Sequence, residues 1–402
     1  MAKIKNLTAL EGFHNGLAII AIRKGRNDLM GMINTAGEIV VEPKYHRIHG
    51  MDSGVLCVEK TATSGLCYID HTRGRELPGP HLNGLVITVG GKRDAYGLED
   101  TDGNTIIPHK YKRLVFADPT GNYLIAKNFR DNYGIIDARG NVLVPFAYDD
   151  IRSSNITPTD PIIVLKHGRF FAVDLSGRRL LTNDYGRLSD RSPQGYYVFG
   201  DDNAIHRRYG VIDADGQIVI PARYSTLYWI GNDRLCCGVH LSRYLITPRT
   251  LATEVQSYGV EMYGIIDSLG RTIIPMVHPF PFGIGLSPQE KCPPQGRYIV
   301  EAPNPDHTFN KDDDNPLQLF GVMAEGGQML IPFGEQDITC EHNMFKVYDR
   351  ARERFGLYSL DGDLVLPYEY DEMHIGDSSD YIAVKKNDEW FYINTLGERI
   401  LL

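Results

Sequence analysis

Apolar and polar positions alternate in short runs along the whole chain, and no stretch sustains the i, i+3, i+4 spacing of a helix. A clear example is Tyr133-Gly134-Ile135-Ile136-Asp137-Ala138-Arg139-Gly140-Asn141-Val142-Leu143-Val144-Pro145-Phe146-Ala147-Tyr148. Its two apolar runs predict two strands, and the polar step between them predicts a turn. An Asp that opens a turn can accept a backbone N–H two residues on. A Gly at the fourth position suits the left-handed backbone of a type I turn with a bulge. Pro145 has no N–H, so it ends the ladder or sits on an edge. Another apolar run precedes each such pair, as at Leu17 to Ile22, Leu85 to Val89, Tyr123 to Ala126, Ile162 to Leu165, Tyr196 to Phe199, Phe345 to Tyr348 and Tyr381 to Val384. The predicted unit is a three-stranded antiparallel meander.

The unit recurs. Tyr209-Gly210 leads to Asp213, Gly216, Pro221 and Tyr224; Tyr263-Gly264 leads to Asp267, Gly270 and Pro275. Tyr96-Gly97 and Phe355-Gly356 open two more copies, and weaker copies start at Met30, Leu66, Phe170, Phe320 and Trp390. Taking the position of the first Gly, the copies stand at 31, 67, 97, 134, 171, 210, 264, 321, 356 and 391. In nine of the ten, a second Gly follows six residues later, and in six a Tyr follows eight residues after that: Tyr45, Tyr111, Tyr148, Tyr185, Tyr224 and Tyr370. A fixed internal register of this kind is the mark of a repeat architecture.

The aromatic-Gly, Asp-x-x-Gly and Pro-x-x-Tyr elements together resemble the WG-repeat family over nearly the whole chain. Most copies carry Tyr or Phe where that family has Trp; only Trp390 fills the Trp position, and there Phe391 replaces the Gly. The resemblance implies a bacterial all-β repeat protein and no single activity. The expected fold is a tandem array of about ten meanders in an open or superhelical stack, each unit burying its apolar face on its neighbours. The alternative is a β-propeller, which ordinarily has four-stranded blades.

Two intervals break the period, at 54 and 57 residues against 30 to 39 elsewhere. The expected organisation is one continuous array: repeats one to six over 1–228, an insertion with a lead strand over 229–261, repeat seven over 262–275, a Pro-rich insertion over 276–318, and repeats eight to ten over 319–402. Long loops are where partners and ligands are commonly met.

Composition narrows the function classes. Hydrophobic residues make up 42 % of the 402, enough for a core, and the formal net charge is −9. Nucleic-acid binding leans on a basic surface, so none is expected. Six scattered cysteines without a C-x-x-C pair read as free thiols. The first residues lack a signal-peptide core, and no run nears the roughly 20 apolar residues of a spanning helix. These features predict a cytoplasmic protein with no membrane partner.

Candidate chemistry is sparse. Gly91-Lys92 lacks the spacing of a phosphate loop, and Gly283-Ile284-Gly285 lacks the third Gly of a dinucleotide fingerprint. His46 and His49 fall in a strand-to-loop region, and Asp306, His307, Asp312, Asp313 and Asp314 read as a solvated turn. The repeated Asp70, Asp100, Asp137, Asp174, Asp213 and Asp267 recur with the turn, so the turn needs them. No catalytic, cofactor-binding or metal-ligating residue is expected, and no cofactor. The leading function is a non-enzymatic protein-interaction scaffold with a protein partner. One alternative is a carbohydrate or cell-wall binding module using exposed repeat tyrosines. The other is an enzyme with its site in the 276–318 insertion.

Overall fold

The computed structural model describes residues 5–400 apart from 53, 72, 92, 154, 202–207, 232, 243–258, 279–295 and 305–317. Every regular element among them is a strand. The strands form ten antiparallel sheets in chain order, eight of four strands and two of three, and each sheet is a simple meander. Blade four shows the pattern: Arg113–Phe116, Tyr123–Lys127, Tyr133–Asp137 and Val142–Tyr148.

The all-β repeat is as the sequence predicts, but the unit has four strands. The extra strand starts two residues past the repeat Tyr, as Arg113–Phe116 does after Tyr111 and Glu372–Ile375 does after Tyr370. Its pattern, polar-apolar-polar, is too short to stand out as a strand in the sequence. In blade five the fourth strand is reduced to two isolated bridges, Phe170 to Tyr185 and Val173 to Arg179. In blade eight the described residues begin with the second strand, Arg297–Pro303.

Both faces of each sheet are buried, which is why the repeat reads Ile-Ile rather than apolar-polar. Adjacent residues on a strand point to opposite faces. Ile136 packs with Ile87, Leu98, Ile107 and Tyr111 of blade three, whereas Ile135 packs with Ile151, Ile162 and Val164 of blade five. The same arrangement gives ten core clusters, one at each junction between successive blades. The tenth joins the two ends of the chain: Leu10, Phe13, Ala18, Ile20 and Ile33 of blade one pack on Ala383, Trp390 and Tyr392 of blade ten. The stack therefore closes into a ten-bladed β-propeller, the arrangement held as the alternative to an open stack.

No strand is exchanged across this seam among the described residues. Side chains and backbone hold it instead. The Trp390 indole N–H donates to the Thr8 carbonyl at 2.9 Å, and the Tyr392 hydroxyl donates to the Glu11 carbonyl at 2.8 Å. Phe13 stacks on Tyr392 with ring centres 5.0 Å apart, and the Asp377 N–H donates to the Phe13 carbonyl at 2.7 Å. Gly12 and Gly376 let the two backbones touch: a Cβ on Gly12 would lie 2.1 Å from the Gly376 nitrogen. On the blade-ten side His374 stacks on Trp390 at 5.6 Å. Burial pushes its pKa down, with a further downward push from Lys346, and Glu372 and Glu341 oppose this.

The first Gly of the repeat has a separate cause. Two residues of the third strand face an extended stretch of the fourth: Tyr133 pairs with Tyr148 while Ile135 pairs with Val144. The fourth strand thus bulges, with Pro145 inside the bulge, and its backbone presses on Gly134. A Cβ there would sit 2.7 Å from the Val144 carbonyl oxygen; the corresponding distances are 2.4 Å at Gly31, 2.7 Å at Gly97, 2.4 Å at Gly210 and 2.6 Å at Gly264. Blades two, five and ten have Cys67, Phe171 and Phe391 at this position, and the described fourth strand of blade ten, Arg399–Ile400, pairs without a bulge. Blade two has a fourth strand of three residues without a bulge, and blade five has only the bridges. The bulge and its Pro also blunt the exposed edge of each sheet against pairing with another chain.

The two predicted insertions are partly ordinary blade. Within 229–261 lie the end of Thr226–Gly231, the strand Arg234–Ser242 and the start of Gly259–Ile266; the excess, 243–258, is outside the described residues. Most of 276–318 is likewise outside them, including Gly283, Cys292, Asp306, His307 and Asp312 to Asp314. The other five cysteines are free, with Cys236, Cys237 and Cys340 buried.

Two predictions follow from the packing. Replacing Gly134 by Ala will lower stability by about 1–3 kcal/mol, the usual cost of overpacking. Gly326→Ala, where a Cβ meets nothing within 4 Å, will be close to neutral. Urea melts of the two variants check this.

The second concerns acid and the seam. The folded-state pKa of His374 lies below its unfolded value, so the fold holds the neutral ring. Its contribution is complete above about pH 6.5 and is lost as the pH falls from there through the lowered folded value. The melting midpoint of the wild type will fall between about pH 6.5 and 5.5, and His374→Phe will fall less over that range.

Candidate functional site

The repeated Asp residues are turn residues, as their register implies. In blade four, Asp137 Oδ1 accepts the N–H of Arg139 at 2.9 Å and of Asn141 at 2.8 Å, and Gly140 takes φ +86°. Asp100, Asp174, Asp213 and Asp267 make the same pair of contacts to the second and fourth residues on. Asn34 and Asn394 do so as amides. Asp70 belongs to the longer turn and accepts from Arg73 instead. At Asp174 the Ser176 hydroxyl is the largest influence; with the turn N–H groups and Arg178 it holds the carboxyl down at about 2 against desolvation.

The repeat tyrosines are core residues. Tyr45, Tyr111, Tyr148, Tyr185, Tyr224 and Tyr370 are all under 9 % exposed. They form no surface stripe, so the sugar-binding reading loses the aromatic surface it needs. His49 contacts Glu59 at 2.9 Å, and His46 is exposed. Among the described residues no group of three or more His, Cys, Asp or Glu converges as metal ligands.

A concave site joins repeated and variable positions. The first strands of blades five, six and seven converge on a cavity of about 710 Å³, within the range of ordinary ligand pockets. Its aromatic lining is Phe170, Tyr209, Tyr228 and Trp229, and its cations are Arg152 and Arg187. Phe170 and Tyr209 are the opening aromatics of copies five and six, half-buried rather than core. Arg152 stands 5.9 Å over the Phe170 ring and pairs with Asp150 at 3.0 Å.

Polar contacts between blades fix the wall. Ser153 accepts the Ile163 N–H at 2.9 Å and donates to Asp190 Oδ1 of the next blade at 2.9 Å. Ser189 accepts the Val198 N–H at 2.9 Å and donates to the Asp190 carbonyl at 2.8 Å. Both hydroxyls are thus committed. Burial raises the Tyr228 phenol well above its ordinary pKa, so it stays protonated. The cavity lining holds no histidine, cysteine or lysine.

Two groups are left over. The exposed Arg187 guanidinium has no ion pair or hydrogen bond among the described residues, and its stem rests beside Gly200. The Trp229 indole N–H is covered yet has no acceptor among the described residues. Sequence reasoning missed both. Trp229 is the first residue of the predicted 229–261 insertion and one of only two tryptophans, which was the available signal. Arg187 sits at the same place after the repeat Tyr as Arg47 and Arg113, so nothing in its local sequence marks it.

Ten repeated four-stranded or three-stranded blades closed into a ring define a β-propeller. The family model described as WG containing repeat matches residues 30–61, 133–155, 209–228 and 355–390. The chain is a WG-repeat protein. Each match starts at or within a third strand and runs past the fourth into the next blade. A comparison with curated proteins finds no match. Among solved structures, the chain is similar to BamB from Moraxella catarrhalis, at 12 % identity and TM-score 0.32 over 79 % of this chain and 91 % of that one. It is also similar to Hsv2p from Kluyveromyces lactis, at 11 % identity and TM-score 0.30 over 66 % of this chain and 99 % of that one.

The turn analysis makes a prediction at Asp174. Asp174→Ala will cost about 1 kcal/mol, whereas Asp174→Asn will cost less, because Asn fills this place in copies one and ten. The folded pKa of Asp174 is lowered, so its support is complete above the unfolded value near 3.8 and is lost as the pH falls through about 2. Asp174→Asn will therefore show a smaller stability loss in acid than the wild type, read by urea melts at a series of pH values.

Proposed function

We propose that this protein is a non-enzymatic interaction scaffold that holds a protein partner in the cavity formed by blades five, six and seven. The carrying observation is that Trp, Tyr and Arg side chains gather there on a rigid wall, with Arg187 and the Trp229 N–H uncommitted. Trp, Tyr and Arg are the residues on which binding energy at protein interfaces concentrates. The Ser153 hydroxyl ties blade five to blade six and the Ser189 hydroxyl is tied within blade six, so binding orders few groups and the entropic cost is small.

Affinity capture from the native cells, comparing the wild type with Trp229→Ala and Arg187→Gln, tests the reading. The wild type is expected to retain at least one protein that both variants release. Arg187 is exposed, so Arg187→Gln will fold as the wild type does, and its melting midpoint checks this. Identical captured sets from all three proteins would overturn the proposal.

A further inference from the structure

We infer that the segment bound in this cavity is acidic: a carboxylate of the partner pairs with Arg187 while a neighbouring aromatic or branched apolar side chain packs on Tyr209, Phe170 and Trp229. The inference rests on the cavity being the docking place proposed above. It concerns what chemistry that place selects.

Charge is the first argument. Arg152 is already neutralised by Asp150, and Asp190 is held by the Ser153 hydroxyl. Arg187 is the cavity cation that has no ion pair or hydrogen bond among the described residues, while the Asp190 carboxylate has one oxygen taken up by Ser153. A guanidinium offers a planar fork that fits a carboxylate through two parallel hydrogen bonds. The chain as a whole carries −9, so an acidic partner is not drawn in from a distance; recognition has to come from this local cation.

The second argument is the company Arg187 keeps. The Tyr209 ring and the Arg187 stem both lie against Gly200, within 3.2 and 3.0 Å of where its Cβ would stand. The Arg187 stem and the Tyr209 ring therefore meet over Gly200 on one face of blade six. A ligand that satisfies both must carry its charge next to an apolar group. A lone carboxylate would leave the four aromatic side chains of the cavity unused. A purely apolar segment would leave Arg187 without a counter-ion in a partly dried site, which costs binding energy.

The third argument is the Trp229 N–H. A covered donor without an acceptor is a cost in the empty protein. A bound segment supplies backbone carbonyls and carboxylate oxygens, and a small turn of the indole lets one of them take this hydrogen.

Selection of a phage-displayed random octapeptide library on the full-length protein tests the inference. The enriched peptides are expected to place Asp or Glu within two residues of Phe, Tyr, Trp, Leu or Ile. Changing that acid to its amide will weaken a selected peptide about tenfold or more, the range of a charge-assisted pair. Arg187→Gln will erase the discrimination between acid and amide, while Trp229→Phe will weaken both forms. Enriched peptides that are neutral, are lost with Trp229→Ala and are indifferent to Arg187→Gln would overturn the acidic preference and leave the docking place standing. No enrichment, or enrichment that survives both variants, would remove the docking place as well. Competition by a uronic-acid oligosaccharide in the absence of any peptide selection would also overturn the inference, in favour of a sugar.

Discussion

A methyl group on Gly134 would stand 2.7 Å from the carbonyl oxygen of Val144, and a fourth-strand carbonyl comes as close as 2.4 to 2.9 Å at Gly31, Gly97, Gly210, Gly264 and Gly321. The closeness comes from the bulge in the fourth strand, where Tyr133 and Ile135 face Tyr148 and Val144. The bulge lets the chain carry Pro145 inside a paired strand. It also returns the strand to register in time to place Tyr148 in the core, six per cent exposed, beside Ile151 of the next blade. Gly, Pro and Tyr are therefore one device. The Gly admits the bulge, the bulge admits the Pro, and the recovered register hands the chain to the following sheet. Blades two, five and ten lack the Gly and lack the bulge, with a fourth strand of three residues, a pair of bridges and the described strand Arg399–Ile400 respectively.

The handover explains the ring. Adjacent residues of a third strand, such as Ile135 and Ile136, are buried toward the blades on opposite sides, so no blade is satisfied alone. Blades one and ten each have a face that only the other can cover. They meet through Phe13, Trp390 and Tyr392, and Gly12 and Gly376 bring the backbones into contact. Closure rests on side-chain packing rather than a shared strand, so the seam depends on few residues, among them the half-buried His374 stacked on Trp390.

The strands and turns were legible because each depends on residues near in sequence. Asp137, Gly140 and Asn141 write the turn within five positions, and the alternation of Ile135 with Gly134 and Ile136 shows a strand buried on both sides. The first strand of each blade was not legible as such. It follows the repeat Tyr so closely that it reads as a tail of the preceding unit, and the WG-repeat matches, such as 133–155, run across the same boundary from one blade to the next. Closure was hidden for a different reason. Leu10 and Trp390 are ordinary apolar residues in sequence, and only the accumulated rotation of ten sheets brings them together.

The cavity illustrates how function separates from repetition. A residue present in every copy is held by the needs of every blade, as the Asp turns and the buried tyrosines are. Positions that the blade leaves unconstrained can differ from copy to copy, and those at the start of the first strand are of this kind: Arg47, Arg113, Asp150, Arg187, Thr226 and Glu372 occupy one equivalent place. The ring brings three consecutive first strands onto one space, so an unconstrained position on one blade becomes the neighbour of such positions on the next two. Arg187 gains Tyr209 and the aromatic pair Tyr228 and Trp229 in this way. A binding surface can thus be composed across blades without disturbing any residue that the fold requires.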